Sequence, residues 1–132
     1  MIVSDCCGNS AKCFVYPCSG GSNVGQLSNE AAKKLDNTKE ATMNCLAGLG
    51  GHIPEMLATA QSAASVLIID GCPTACGKKI VEHLGIKNYG YVEITSLGIK
   101  KEHNVDKTPP NQIEEVVAAA RKELERFIPP IN

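Results

Sequence analysis

The chain has 132 residues with a formal net charge of -1; 43% of its residues are hydrophobic, 4% are aromatic, and Trp is absent. That length suits one domain, and the core must come from Val, Ile, Leu and Ala. The near-neutral charge speaks against nucleic acid or an acidic membrane surface as partners, and no apolar run approaches the ~20 residues of a membrane span.

The expected organisation is a single domain over 1–132, with an N-terminal arm at 1–11 and an α/β core at 12–128. Met1-Ile2-Val3-Ser4-Asp5 has neither a basic region nor a long apolar stretch, so it does not read as a signal peptide, and the expected location is the cytoplasm. In chain order, Cys13-Phe14-Val15-Tyr16 reads as a first strand stopped at Pro17. A helix is predicted over 24–35 from the spacing of Val24, Leu27, Ala31 and Leu35. Residues 41–46 read as a second strand, broken by Gly48-Leu49-Gly50-Gly51. Ile53, Leu57, Ala60 and Ala64 mark a second helix with Pro54 in its first turn.

Ser65-Val66-Leu67-Ile68-Ile69-Asp70 is the clearest strand, apolar on both faces as a central parallel strand should be. After Gly71-Cys72-Pro73, Thr74 is the expected N-cap of a third helix reaching Leu84, with Gly85 ending it. Residues 89–97 read as a fourth strand with one wet face, which fits an edge. A polar loop over 100–110 leads to an amphipathic helix over 111–127, whose stripe is Ile113, Val116, Val117, Ala120, Leu124 and Phe127. Four strand–helix alternations predict a three-layer, Rossmann-like α/β sandwich around a four-stranded, mainly parallel sheet. The expected strand order is 2-1-3-4.

Seven cysteines are many for a cytosolic chain, where thiols more often bind metal or do chemistry than form structural disulfides. In a parallel sheet, ligands bind beyond the carboxyl ends of the strands. Cys18 follows strand one, Cys45 ends strand two, Cys72 follows strand three and Cys76 opens the next helix, so all four are expected at one edge. Neighbouring strands lie about 4.8 Å apart, and four thiolates at about 2.3 Å from one ion make a closed zinc site. The bland alternative is that cysteine is often a small buried filler. Cys13, at the start of strand one, reads as core or bystander. Cys6 and Cys7 precede the sheet and receive no firm role.

Two glycine loops sit beside the cysteines. Ser19, Gly20, Gly21 and Ser22 lead into a helix and form a candidate cradle for a small anion such as phosphate. The pattern is neither a Walker loop nor a dinucleotide fingerprint, and the alternative is a tight turn. Gly50, Gly51 and His52 form the second candidate loop. His52 is a candidate outer ligand or proton carrier, or simply a helix-start residue. Asp70 either holds the turn after the central strand by accepting N–H bonds or faces the site.

Long ordered motifs resemble one family. Ile69-Asp70-Gly71-Cys72-Pro73 with Cys76, Pro17-Cys18-Ser19-Gly20 and Ser22-Asn23-Val24-Gly25-Gln26 are similar to the DGC-domain family. So are Cys45-Leu46-Ala47-Gly48-Leu49-Gly50-Gly51-His52 and Leu97-Gly98-Ile99-Lys100-Lys101. The resemblance covers about residues 14–117. It implies zinc bound by four cysteines, which map onto Cys18, Cys45, Cys72 and Cys76, and it implies no reaction.

The leading expectation is therefore a zinc-binding protein acting as a metal or thiol sensor or carrier. A complete shell of four thiolates leaves no open position for hydrolytic water. The competing readings are a thiol-dependent redox or persulfide-handling enzyme, an iron–sulfur protein using the same thiolates, and a small anion-binding enzyme. Whether the protein is an enzyme, and what protein partner it has, stay open.

Overall fold

The computed structural model describes residues 13–127; the expected N-terminal arm, with Cys6 and Cys7, lies outside the described residues. The elements follow in the order β1 (Cys13–Pro17), α1 (Asn23–Asn37), β2 (Thr42–Met43), α2 (Leu46–Gly50), α3 (Pro54–Ser62), β3 (Ser65–Asp70), α4 (Cys76–His83), β4 (Tyr89–Glu93), a 3-10 turn (Ile94–Leu97) and α5 (Pro110–Glu125). The four strands form one sheet in the order β2-β1-β3-β4. Every pairing is parallel, with Val15 beside Leu67, Ile68 beside Tyr91 and Phe14 beside Thr42. The expected fold class and strand order are both found.

Alternation along the central strands divides the core in two. On one face Val15, Leu67, Ile69 and Val92 pack against Leu27, Ala31 and Leu35 of α1 and Val116, Val117 and Ala120 of α5. On the other, Tyr16, Val66 and Ile68 pack against Leu46 and Leu49 of α2, Ala60 of α3 and Val81 of α4. All six residues of β3 are buried, as a strand covered on both faces requires. Both sheet edges are blunted by carboxylates. The Met43 N–H donates to Asp36 Oδ2 at 2.8 Å, and the Tyr91 N–H donates to Glu123 Oε1 at 2.9 Å. An edge N–H already bonded is not offered to another strand.

Three local expectations are corrected. The second strand is two residues long rather than six, and the glycine-rich stretch after it is helical. The Asn44 N–H makes a last bond to the Val15 carbonyl, Cys45 becomes the residue before α2, and Leu46 and Leu49, three apart, bury together on one helical face. A Cβ at Gly48 would overlap the Met56 sulfur, so Met56 packs directly against the bare backbone there. The fourth strand ends at Glu93, not 97. Ile94 turns into the core and the Thr95 N–H bonds the Gly71 carbonyl, which draws the chain out of the sheet. Thr74 is not the cap of α4; Ala75, at φ 55, precedes it and makes no side-chain cap bond.

Asp70 caps α4 instead. It is 1% exposed, and its carboxylate accepts from the Gly77 N–H (2.8 Å), the Lys78 N–H (3.0 Å) and the Tyr91 hydroxyl (2.9 Å). This satisfies two of the orphan donors at the helix start. Gly77 is required at the contact, since a Cβ would lie 2.8 Å from Asp70 Oδ1.

Candidate functional site

Each crossover delivers a cysteine to the carboxyl edge of the sheet. Cys18 extends β1 by one residue, its N–H donating to the Ile69 carbonyl at 2.9 Å. Its sulfur accepts the Gly71 N–H at 3.3 Å and lies 3.6 Å from Ser28 Oγ. Ser28 is fully buried; its hydroxyl donates to the Gly25 carbonyl (2.6 Å) and accepts from the Ser19 N–H (3.0 Å). The loops after β1 and β3 are thus tied together through the Cys18 sulfur.

Cys72 is half-buried. Its thiol is held below its ordinary pKa of 9.0, first by a hydrogen bond from the Thr74 side chain, then by the Thr74 backbone and by Lys101; partial burial opposes this. Lys101 Nζ donates to the Cys72 sulfur at 3.4 Å, across 29 positions of sequence. Cys76, the first residue of α4, is exposed, as is Cys45 before α2.

Two cavities meet at Cys18. One, of about 250 Å³, is lined by Cys18, Cys72 and Cys76 together with Gly20, Gly71 and Lys101. Its neighbour, about 620 Å³, is lined by Cys18 and Cys45 with Asn29, Met43 and Asn44. All four expected cysteines therefore stand at one edge. Among the described residues, no three His, Cys, Asp or Glu side chains come together closely enough to hold a metal ion as they stand. Three thiols share one cavity, and Cys45 opens into the next.

The glycine loops spend most of their donors on the protein itself. In the stretch Ser19, Gly20, Gly21 and Ser22, the Ser22 N–H bonds the Gly20 carbonyl. At the start of α1 the Asn23 N–H goes to the Glu102 carbonyl, the Gly25 N–H to Ser22 Oγ and the Gln26 N–H to the Ser22 carbonyl. Gly20 and Gly21 also wall the smaller thiol cavity, with Ser22 beside them. Gly50, Gly51 and His52 line neither thiol cavity. The Gly51 N–H closes α2 on the Ala47 carbonyl, and the exposed His52, at φ 58, sets its ring 5.6 Å from that of His83. Asp70 faces α4 and Tyr91 rather than the thiols. Burial and that carboxylate push the Tyr91 phenol far above its ordinary range. Cys13 is buried at the start of β1, with the whole strand between it and Cys18.

Sequence reasoning missed Lys101, Thr74 and Asn23. The motif Leu97-Gly98-Ile99-Lys100-Lys101 was the available signal for Lys101, but periodicity has nothing to say about a loop.

The DGC domain sequence profile matches residues 14–120. This chain belongs to the DGC domain family. The matched stretch of this DGC domain contains all four edge cysteines and the Lys101 loop. The DGC domain here is also 38% identical over 93 residues to the "Anaerobic and virulence modulator AnvM" of Pseudomonas aeruginosa, an alignment covering 70% of this chain and 71% of that protein. No solved structure is similar enough to count as a match. Among the described residues, no helix of the domain is long and apolar enough to cross a membrane.

Proposed function

We propose that this DGC domain is a cytoplasmic regulatory protein whose edge thiols bind a thiophilic metal ion, zinc first, and so sense or carry it. The observation that carries the reading is the single cavity walled by Cys18, Cys72 and Cys76, with Cys45 across Cys18 from it. The donor set suits zinc, which takes thiolate sulfur in tetrahedral sites. The side chains as they stand do not converge, so binding requires the thiols to rearrange at the edge. Cys45 and Cys76 are exposed, so their sulfurs can turn without repacking the core. The regulatory part of the reading is supported by the name of the Pseudomonas relative, an "Anaerobic and virulence modulator".

The test is zinc titration of reduced, metal-free protein against a chromophoric chelator. One tight zinc per chain is expected, with Cys18→Ser, Cys72→Ser and Cys76→Ser each weakening it sharply. Absence of tight zinc, or binding as tight as wild type in all three variants, contradicts the reading. A brown anaerobic preparation absorbing in the visible would assign the same thiolates to an iron–sulfur cluster instead.

One observation favours a second reading, a thiol-dependent redox or persulfide-handling enzyme: Cys72 is held toward its thiolate by Thr74 and Lys101. Alkylation separates the two. A single fast-reacting Cys72 in the metal-free protein, unprotected by added zinc, supports the enzyme.

A further inference from the structure

We infer that Cys72 and Cys18 act as a dithiol pair that reduces small anionic disulfides, with Lys101 as the charge that recognises them. The inference rests on the thiol-enzyme reading above and needs no metal ion.

Two thiols are enough for this chemistry, and the fold gives these two a shared cavity of about 250 Å³. The Gly71 N–H holds the Cys18 sulfur at 3.3 Å, and Gly71 is the residue before Cys72. The Cys18 sulfur is thereby fixed against the loop that carries Cys72, and both cysteines are half-buried. Cys76 also lines the cavity, but it is exposed and opens α4, whose start Asp70 holds at the Gly77 N–H. Among the described residues, Lys101 is the one charged side chain lining the cavity, and its Nζ lies 3.4 Å from the Cys72 sulfur. Asn23, 1% exposed, keeps it there by gripping the backbone on both sides of it. Asn23 Nδ2 donates to the Lys100 carbonyl at 2.9 Å, and Asn23 Oδ1 accepts the Glu102 N–H at 2.6 Å. Only a carboxamide supplies both the donor and the acceptor that this clasp uses. The Glu102 carboxylate is itself paired with Lys107 at 2.7 Å. A substrate entering the cavity therefore meets a positive charge beside the sulfur, which favours a disulfide bearing carboxylates.

The reaction is a double thiol–disulfide exchange. The Cys72 thiolate attacks one sulfur of the substrate RSSR; the S–S bond breaks, a Cys72–S–SR bond forms, and RS⁻ leaves and takes a proton. The Cys18 thiolate then attacks the Cys72 sulfur, forms the Cys18–Cys72 disulfide and expels the second RS⁻, which is protonated in turn. Two electrons pass from the two protein thiols to RSSR, and the two protons the thiols lose match those the two RSH gain. A dithiol reductant reverses the protein half by the same exchange and readies the next cycle. Asn23 is a positioning residue that acts through Lys101.

The experiment mixes reduced, full-length, metal-free protein with glutathione disulfide (anionic), hydroxyethyl disulfide (neutral) or cystamine (cationic) and maps acid-quenched samples by mass spectrometry. Each rate is divided by that of free cysteine with the same disulfide, and circular dichroism melts confirm that every variant folds. Wild type is expected to lose the mass of two hydrogens, with the Cys18 and Cys72 peptides joined. Its relative rate with glutathione disulfide should exceed that with cystamine about 10-fold or more. Cys18→Ser and Cys18→Ala should both stop with the small thiol still attached to Cys72. Lys101→Met, and Lys101→Arg as its charge-keeping control, should respectively lose and keep the preference for the anionic substrate. A Cys72 that captures no small thiol in any of these proteins overturns the parent reading and this inference together. A Cys72 that captures the thiol but closes onto Cys76, or does not close at all, overturns the dithiol pair alone. An anionic preference that is absent in wild type, or unchanged in Lys101→Met, overturns the assigned substrate class.

Discussion

Gly71 packs so closely against Gly25 that a Cβ on Gly71 would lie 2.8 Å from the Gly25 nitrogen. Gly25 is equally confined, since its own Cβ would overlap the Gly20 carbonyl. The first contact brings the loops after β1 and β3 together, the second folds the β1 loop onto the start of α1, and Cys18 and Cys72 share one cavity there. Gly71→Ala must push the loops apart, and overpacking of this kind costs about 1–3 kcal/mol. The expected outcome is a lower urea midpoint with an unchanged slope, together with weaker zinc binding. An unchanged midpoint would show that the loops can separate freely.

Asp70 serves three buried or half-buried donors at once. Asp70→Ala leaves the Gly77 and Lys78 N–H groups and the Tyr91 hydroxyl without their acceptor, a loss of roughly 3 kcal/mol or more. Tyr91→Phe removes only one of those bonds and should cost about 1 kcal/mol. Chemical denaturation of both variants checks the order; a Tyr91→Phe cost equal to that of Asp70→Ala would mean that the helix cap contributes nothing.

Arg121 grips Glu40 through two bonds of 2.8 and 2.9 Å, and this holds the Glu40 carboxyl below its ordinary value of 4.5. A depressed carboxyl stabilises the fold above its unfolded pKa, and the gain is lost as pH falls through the folded one. Both side chains are partly exposed, so the pair is worth at most about 1 kcal/mol. The stability gap between wild type and Arg121→Gln should be full above about pH 4.5, shrink below it, and shrink also in high salt. A gap that grows on acidification would reverse the sign assigned to the pair.

Metal-free protein should alkylate at Cys72 with a half-maximal rate below pH 9.0, the ordinary thiol value, because Thr74 and Lys101 favour the thiolate. Thr74→Ala removes the largest cause and should move that midpoint upward. Mass-spectrometric mapping across pH reads both. A Cys72 that reacts like free cysteine would mean that these donors do not act on the sulfur in solution.

The layered fold was legible because its signals are local. The run Ser65–Asp70 is apolar on both faces, the stripe from Ile113 to Leu124 repeats at helical spacing, and parallel crossovers leave few topologies. The edge position of the four cysteines followed from strand ends alone. What stayed hidden depends on contacts between distant residues. The collapse of the second strand into α2 is driven by Leu46 and Leu49 seeking the sheet, and the cap on α4 comes from Asp70 rather than from Thr74 beside it. Lys101 reaches Cys72 only because Asn23, 77 positions from Lys100, clasps its loop. The division of the thiols between two cavities is set by side-chain directions, which spacing does not encode.

X-ray absorption at the zinc edge of the reduced, zinc-loaded protein tests the central claim most directly. The account predicts a first shell of sulfur at about 2.3 Å, lost or replaced in part by lighter atoms in Cys72→Ser. A shell of nitrogen and oxygen alone, or one unaltered when Cys18, Cys72 and Cys76 are each replaced, would contradict it.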